Sequence, residues 1–372
     1  MLTVDHTTNS IRSVLVLSDH ELDPRLRRRV RWIEEICPEV IICRHGRAEW
    51  VGDEEFLCKR KSLDYSDDKS IDGFTGGLCY VSGAKILWDK QFVLSKLRRA
   101  NRIIFEVPDL PLRSRSMVKN FAIAKFFSFM FGRLAHAGVV TAPEFLRHLP
   151  KGLPYLLLEN FPELGIAEAL AKLEPPRRFK GSGEPIHIGF VGAIRYGEQI
   201  RLLLRYGCRR KGVVIHFFGG PLKALNEIIE EEREMSSGWE TENIKVHGPY
   251  VFEEEICDIY ESLDILYAVY DAGQPNVRMA LPNKLYEAAL ANRSILAAEG
   301  TSFAQVVLNA GIGESLPSAL EDYPRFEEKL DAFIDKKWSF AYRPCFSQHE
   351  LARCREQKPI FQLFINNICK NM

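Results

Sequence analysis

Short apolar runs that end in small or polar residues alternate with amphipathic stretches along most of the chain. Ser13 to Ser18 is the first such run and reads as a buried parallel strand. Asp23-Pro24 then opens a helix through Arg25 to Ile36, since proline fits the first helical position. Pro38 ends that helix, and Glu39 to Cys43 is the next strand, which completes a β-α-β unit. From Val51 to Gly77 the sequence is polar and keeps no period. Arg102 to Val107 is a further strand, broken by Pro108-Asp109-Leu110-Pro111. A long helix is expected from about Ser116 to Ala137, then a strand over Gly138 to Thr141, a short helix opened by Pro143 and a strand over Leu156 to Asn160.

Ala171 to Pro185 has three prolines, two glycines and little apolar content, and reads as a linker. After it the alternation restarts. Strands are expected at Ile186–Val191, Val213–Phe218, Ile244–His247, Asp264–Val269 and Ser294–Ala298, each followed by glycine or a polar turn. Gln348 to Lys370 reads as one helix. The economical summary is α/β, with two Rossmann-like doubly wound domains in tandem. The expected division is residues 1–170, a linker at 171–185, a second domain at 186–345 and a C-terminal helical segment at 346–372, expected to pack back on the first domain. Ligands on such sheets bind at the carboxyl ends of the strands. In the second half those ends carry Gly192, Gly219, Gly248 and Asp271.

Composition adds limits. A length of 372 residues suits two domains. Fifty Lys and Arg balance fifty Asp and Glu, which argues against a dedicated nucleic-acid binder. The nine cysteines form no C-x-x-C pair, so free thiols in a reducing compartment are expected, with neither disulfides nor zinc. Met1 to Ser13 lacks an apolar core, so no signal peptide is expected, and no apolar run is long enough to span a bilayer. Charge is unevenly spread. Lys96 to His136 holds nine Lys and Arg against two Asp and Glu, whereas Leu222 to Asp264 holds three against thirteen.

The segment Leu281-Pro-Asn-Lys-Leu-Tyr-Glu-Ala-Ala289 carries the most chemistry. Lys284 and Glu287 stand three apart at a helix start, on one face. A lysine beside free backbone N–H groups suits a phosphate, and a glutamate suits a sugar's paired hydroxyls. A surface ion pair is the plainer alternative. Upstream, Ile188 to Arg195 is a strand that runs into a glycine turn and an arginine whose planar fork suits a diphosphate; an ordinary βα turn is the alternative. Gly189, Gly192 and Gly197 fit neither G-x-G-x-x-G nor the phosphate loop of NTPases. Asp271 to Glu287 is a polar loop of the kind that carries specificity.

In this order the pieces resemble GT-B-fold glycosyltransferases, in particular family 4-like enzymes of bacterial surface-polysaccharide synthesis. The resemblance rests on Val191 to Arg195, Phe217 to Pro221, the Asn276 to Glu287 block with Pro-Asn-Lys-x-x-Glu, Ile295 to Ala298 and Gly311 to Gly313. It extends to Leu15–Ser18 with Asp23-Pro24-Arg25, Phe105–Asp109, Thr141–Phe145 and Glu159–Pro162. It implies two Rossmann-like domains with an interdomain cleft and a hexosyltransferase-type activity, metal-independent and retaining, with no cofactor beyond a UDP- or GDP-linked sugar. Arg195 and Lys284 would neutralise the leaving diphosphate, and Glu287 would hold the ribose hydroxyls. Gly192 would allow close approach, and Tyr250 would flank the base. Asn276, Arg278 and Asn283 complete the implied donor set; Asp23, Arg25, Glu106 and Asp109 are acceptor-side candidates. The chain departs from the pattern at Met279, where many relatives carry a first glutamate, and it has no lysine after Arg195.

Residues 113–136 combine Phe121, Phe126, Phe127, Phe129, Met130 and Phe131 with Arg113, Arg115, Lys119, Lys125 and Arg133. Aromatics and cations without acids suit an anionic membrane surface, and a core helix with a basic edge is the alternative. Membrane contact would suit a lipid-linked saccharide acceptor and a cytoplasmic, peripheral location, with no nucleic-acid partner. A histidine base among His20, His45 and His136 is weighed against the commoner structural role. Two other functions stay open: a GT-B-fold UDP-sugar isomerase, and a non-catalytic sugar-nucleotide-binding partner subunit, the latter motivated by Met279.

Overall fold

The protein is described by a computed structural model covering residues 11–19, 24–44, 53–75, 77–112, 114, 116–176, 184–235, 242–337 and 344–370. It folds as two compact units. One holds the chain up to Asn160 together with the segment from Glu356 onward, and the other runs from Phe161 to Arg355.

The first unit begins with β1 (Val14–Ser18), α1 (Pro24–Glu34), β2 (Val40–Arg44), α2 (Asp53–Cys58), β3 (Lys61–Asp64), α3 (Asp68–Asp72) and β4 (Leu78–Ser82). It continues with α4 (Ile86–Asp89), α5 (Gln91–Ala100), β5 (Arg102–Val107), α6 (Met117–Leu134), β6 (Ala137–Val140), a 3-10 turn at Pro143–His148 and β7 (Tyr155–Leu157). All pairings are parallel, in the order β3-β2-β1-β4-β5-β6-β7. β1 and β4 are buried along their whole length, as a strand covered by helices on both faces must be. Ser116 caps α6 by accepting from the Lys119 N–H at 3.4 Å.

The second unit runs α7 (Leu164–Leu170), β8 (Ile186–Val191), α8 (Gly197–Arg209), β9 (Val213–Phe218), α9 (Leu222–Met235), β10 (Ile244–Gly248), α10 (Phe252–Glu261) and β11 (Ile265–Ala268). It then adds α11 (Pro275–Met279), α12 (Asn283–Leu290), β12 (Ser294–Ala298), α13 (Ser302–Ala310), β13 (Gly313–Leu316) and α14 (Tyr323–Ala332). Its parallel sheet has the order β10-β9-β8-β11-β12-β13. Its core is built from Ile188, Phe190, Ile215, Phe217, Ile265, Tyr267 and Leu296 against α8 and α14.

The boundary between the units falls at Phe161, ahead of the expected linker at 171–185, whose residues 177–183 lie outside the described residues. α7 belongs with the second unit because the turn after it is tied there. Arg293 donates to the Glu174 carbonyl at 2.7 Å, and Asn292 to that of Leu173 at 3.4 Å. α15 (Pro344–Cys369) closes the chain. Its early part sits in the second unit, where the Cys354 thiol meets the Pro162 carbonyl at 3.7 Å. Its later part enters the first unit's core through Phe361, Ile365 and Cys369.

Candidate functional site

The order of strands in the second unit reverses between β8 and β11. This is the switch point where a doubly wound sheet leaves room for a ligand at its carboxyl edge. Three turns meet at that edge. The Gly192 N–H donates to the Phe218 carbonyl at 2.9 Å, Ile194 N–H to Gly220 at 2.8 Å, and Gly219 N–H to Gly248 at 2.7 Å. Gly219 has φ +126°, and a side chain there would stand 1.9 Å from the Gly192 carbonyl oxygen, so only glycine lets the two turns approach. A Cβ on Gly192 (φ +135°) would lie 3.9 Å from Lys284 Cε. The β8 turn and the start of α12 therefore adjoin, although they are far apart in sequence.

Pro282 precedes α12 and Asn283 begins it. Lys284 and Glu287 are 6% and 1% exposed, so the plain surface ion pair is not what forms. Lys284 Nζ meets Glu287 Oε2 at 2.6 Å. Glu287 Oε2 also accepts from the Tyr260 hydroxyl at 2.8 Å, and Oε1 from Asn283 Nδ2 at 2.7 Å. Burial works against the lysine's charge, but Glu287 and then the Tyr250 hydroxyl outweigh it and hold its pKa above the ordinary value. Tyr250 itself is pushed up by burial, with Lys284 pulling the other way. Tyr260 stays a phenol, held well above its usual range by burial and by Glu287. A fixed ammonium at the edge of a parallel sheet, beside a glycine turn, can take a phosphate oxygen. The carboxylate has accepted three bonds and keeps lone-pair capacity on Oε1 for a hydroxyl.

The other expected donor residues are placed differently. Arg195 follows the Gly192 turn and is exposed; its charge partly offsets the burial that raises the Tyr270 pKa. The Tyr196 and Tyr270 rings pack at 5.2 Å between centroids. Asn276 lies on α11, half-buried. Arg278 is committed to its own loop, donating to the carbonyls of Ala272 at 2.7 Å and Gly273 at 3.3 Å. Met279, half-buried, ends α11. Tyr260 is the member that sequence reasoning misses: it sits on α10, 27 residues before its partner, and no local spacing marks it.

In the first unit Asp23 lies outside the described residues, as do His20 and His45. Asp109 is exposed just beyond β5. Glu106 has no solvent exposure, and its Oε1 faces Arg29 Nε at 3.4 Å and Arg25 Nε at 3.9 Å. It is the centre of a buried charge cluster rather than an open acceptor contact. His136 plays a structural part, because its Nδ1 accepts from the Ile103 N–H at 3.0 Å.

No family model matches the chain. It is 25% identical over 203 residues to the succinoglycan biosynthesis protein ExoL of Rhizobium meliloti, covering 50% of this chain and 47% of ExoL. The chain thus spans about half the length of the curated relative it matches. In three dimensions it is similar to Anabaena HepE, solved with UDP-glucose, with a TM-score of 0.66 at 12% identity, covering 97% of this chain and all of HepE. It is also similar to a putative UDP-N-acetylglucosamine 2-epimerase from Listeria monocytogenes, with a TM-score of 0.55 at 11% identity, covering 92% and 94%. At these identities the likeness speaks to fold, and the chain has the GT-B fold: two doubly wound units, the second of which carries the Lys284–Glu287 pair at its switch point.

Proposed function

We propose that the protein is a glycosyltransferase of surface-polysaccharide or glycolipid assembly. It takes a sugar from a UDP- or GDP-linked donor and passes it to a lipid-linked saccharide at the cytoplasmic face of a membrane. The observation that carries this reading is the buried Lys284–Glu287 pair beside the Gly192 turn. A UDP-glucose complex of a protein with the same fold, and a relative in succinoglycan biosynthesis, support it.

The chemistry follows from charge. As the glycosidic bond to the diphosphate breaks, negative charge grows on the leaving oxygens. Lys284 is preorganised by Glu287 and Tyr250 and stabilises that charge without moving; Arg195 adds a second, exposed cation. This makes transfer independent of a metal. Glu287 takes a ribose hydroxyl on its remaining Oε1 capacity, and Asn283, which is exposed, can yield its place to a second. Tyr250 flanks the base, and the anomeric configuration is retained.

A thermal-shift screen with UDP, GDP and their common sugar conjugates tests the reading, because ligand binding to the folded state raises the melting temperature by mass action. A rise with one nucleotide series, and transfer of its sugar to a lipid-linked acceptor, is expected. Absence of any shift and of any donor turnover removes the proposal. Met279, where a donor-contacting carboxylate is expected, favours a second reading as a nucleotide-sugar-binding partner subunit; binding without turnover on any acceptor would select it.

A further inference from the structure

We infer that the first unit carries an oxyanion site of its own, which takes a protonated phosphate group between Arg29 and Glu106. The inference stands apart from the nucleotide site and holds or fails without it. The strand order of the first sheet reverses between β1 and β4, so its switch point lies there. Ser18, Ser82 and Glu106 stand in register across β1, β4 and β5 near the carboxyl ends of these strands, and Tyr80 is two residues back on the same face. α1 brings Arg25 and Arg29, one helical turn apart, to that row. Arg29 Nε lies 3.4 Å and Arg25 Nε 3.9 Å from Glu106 Oε1. Among the described residues, Arg29 Nη1 and Nη2, Tyr80 Oη, Ser82 Oγ and Glu106 Oε2 are all buried without a hydrogen-bond partner. The rings that pack on Arg29 supply none: Trp32 and Phe361 have their centroids 4.9 and 5.8 Å from its guanidinium carbon and offer no oxygen. Unpaired buried polar groups are costly, and several in one place point to a bound partner.

The inventory of these atoms describes that partner. The guanidinium nitrogens and the two hydroxyls donate, whereas Glu106 Oε2 only accepts. Their complement has several negative oxygens and one O–H. A hydrogen phosphate group meets both needs. Two of its oxygens take the fork of Arg29, since a planar guanidinium pairs bidentately with phosphate. A third takes the hydroxyls of Ser82 and Tyr80, and the P–OH donates to Glu106 Oε2. Burial, then the charge of Glu106, hold the Tyr80 phenol well above its usual range, so it stays a donor. Sulfate carries no proton at neutral pH and would set a bare oxygen against the carboxylate. Glu106 thus rejects sulfate while Arg29 attracts both ions. The Arg25 side chain, 19% exposed, connects Glu106 to the surface, and its movement is the way in.

The test uses the full chain, melted in potassium phosphate and in potassium sulfate at equal ionic strength. Both ions stabilise folded proteins in a general way, so only a difference between them reports a site. A melting temperature that climbs with phosphate and lags with sulfate is expected, together with broadening of the phosphate phosphorus resonance by the protein. Lys284→Ala should keep both effects, which separates this site from the nucleotide site. Ser82→Ala should weaken phosphate about tenfold, as the loss of one hydrogen bond to a charged group does. Glu106→Gln, whose amide can donate, should let sulfate stabilise as well as phosphate. If that variant does not fold, the wild type and Ser82→Ala decide. Glycerol phosphate separates the sources: a matching rise assigns the site to the phosphate end of a larger molecule, and no rise assigns it to the free ion. Equal stabilisation by phosphate and sulfate in the wild type, or no broadening, overturns the inference and leaves ordered water as the partner. So does loss of the phosphate effect in Lys284→Ala, which would put the ion at the nucleotide site.

Discussion

Lys284 is a charge that burial opposes and Glu287 permits, and the pair is tolerable because Tyr260, Asn283 and Tyr250 supply the missing hydrogen bonds. The single variants therefore differ in kind. Glu287→Ala leaves the ammonium buried without its partner and should cost about 3–5 kcal/mol of stability, which confounds any loss of binding. Lys284→Ala leaves Glu287 still holding two donors. It should keep the fold and weaken UDP binding at least tenfold by calorimetry; unchanged affinity would remove Lys284 from the site. Tyr260→Phe should lower stability by about 1–2 kcal/mol, the usual penalty for one lost partner of a buried group. Much of this cluster is legible in sequence, because Lys284, Glu287 and Asn283 lie within one helical turn or so of each other. The contributions of Tyr260 and of the Gly192 contact are not, since they come from elements brought together only by the sheet. Arg278 is legible as a residue type that suits a ligand, whereas the donation of its Nε and Nη2 to carbonyls of its own loop is not.

Strands are readable where burial on both faces demands a continuous apolar run, as in β1, β5, β8 and β9. β3 is not, because Lys61-Ser62-Leu63-Asp64 is an edge strand with little to bury on either face. β4 is hidden in the sequence although it is wholly buried beside β1, as it directly follows a polar segment without period. The elements also carry an acid-sensitive feature. His187 on β8, His216 on β9 and His247 near the end of β10 form a chain of imidazoles, with Nδ1 of His187 2.8 Å from Nε2 of His216, and Nδ1 of His216 2.9 Å from Nε2 of His247. Burial, then His187, His247 and Lys245, depress the His216 pKa from 6.5 to about 4. Burial, then Arg98 and Arg102, depress that of His136 from 6.5 to about 4. Both rings are neutral in the fold, and the unfolded chain takes up protons first. The stability they protect is therefore fully present above about pH 6.5 and is lost as pH falls from there through about 4. Denaturant midpoints measured across that window should drop for the wild type and drop less for His216→Phe; an identical slope would show that the ladder does not titrate as placed.

At the scale of the molecule, the chain leaves the first unit at Asn160 and returns to it at Glu356, so that unit's core is completed by the last segment of α15. Phe361 is fully buried there, 5.6 Å from Trp32 and 5.8 Å from Tyr80 between ring centroids. Gln362 donates to the Trp32 carbonyl at 2.9 Å, and Lys358 meets Glu35 at 2.8 Å, which keeps that carboxyl below its ordinary pKa. Phe361→Ala removes the ring and leaves a cavity, a change of about 3–5 kcal/mol. That loss belongs to the first unit. The nucleotide, if it binds at Lys284, stabilises the second. Scanning calorimetry of wild type and variant, each with and without UDP, separates the two effects: the transition lowered by Phe361→Ala should not be the one that UDP raises. If the variant instead lowers the UDP-sensitive transition by the full amount, the loss in the first unit's core is felt by the whole chain in one cooperative transition.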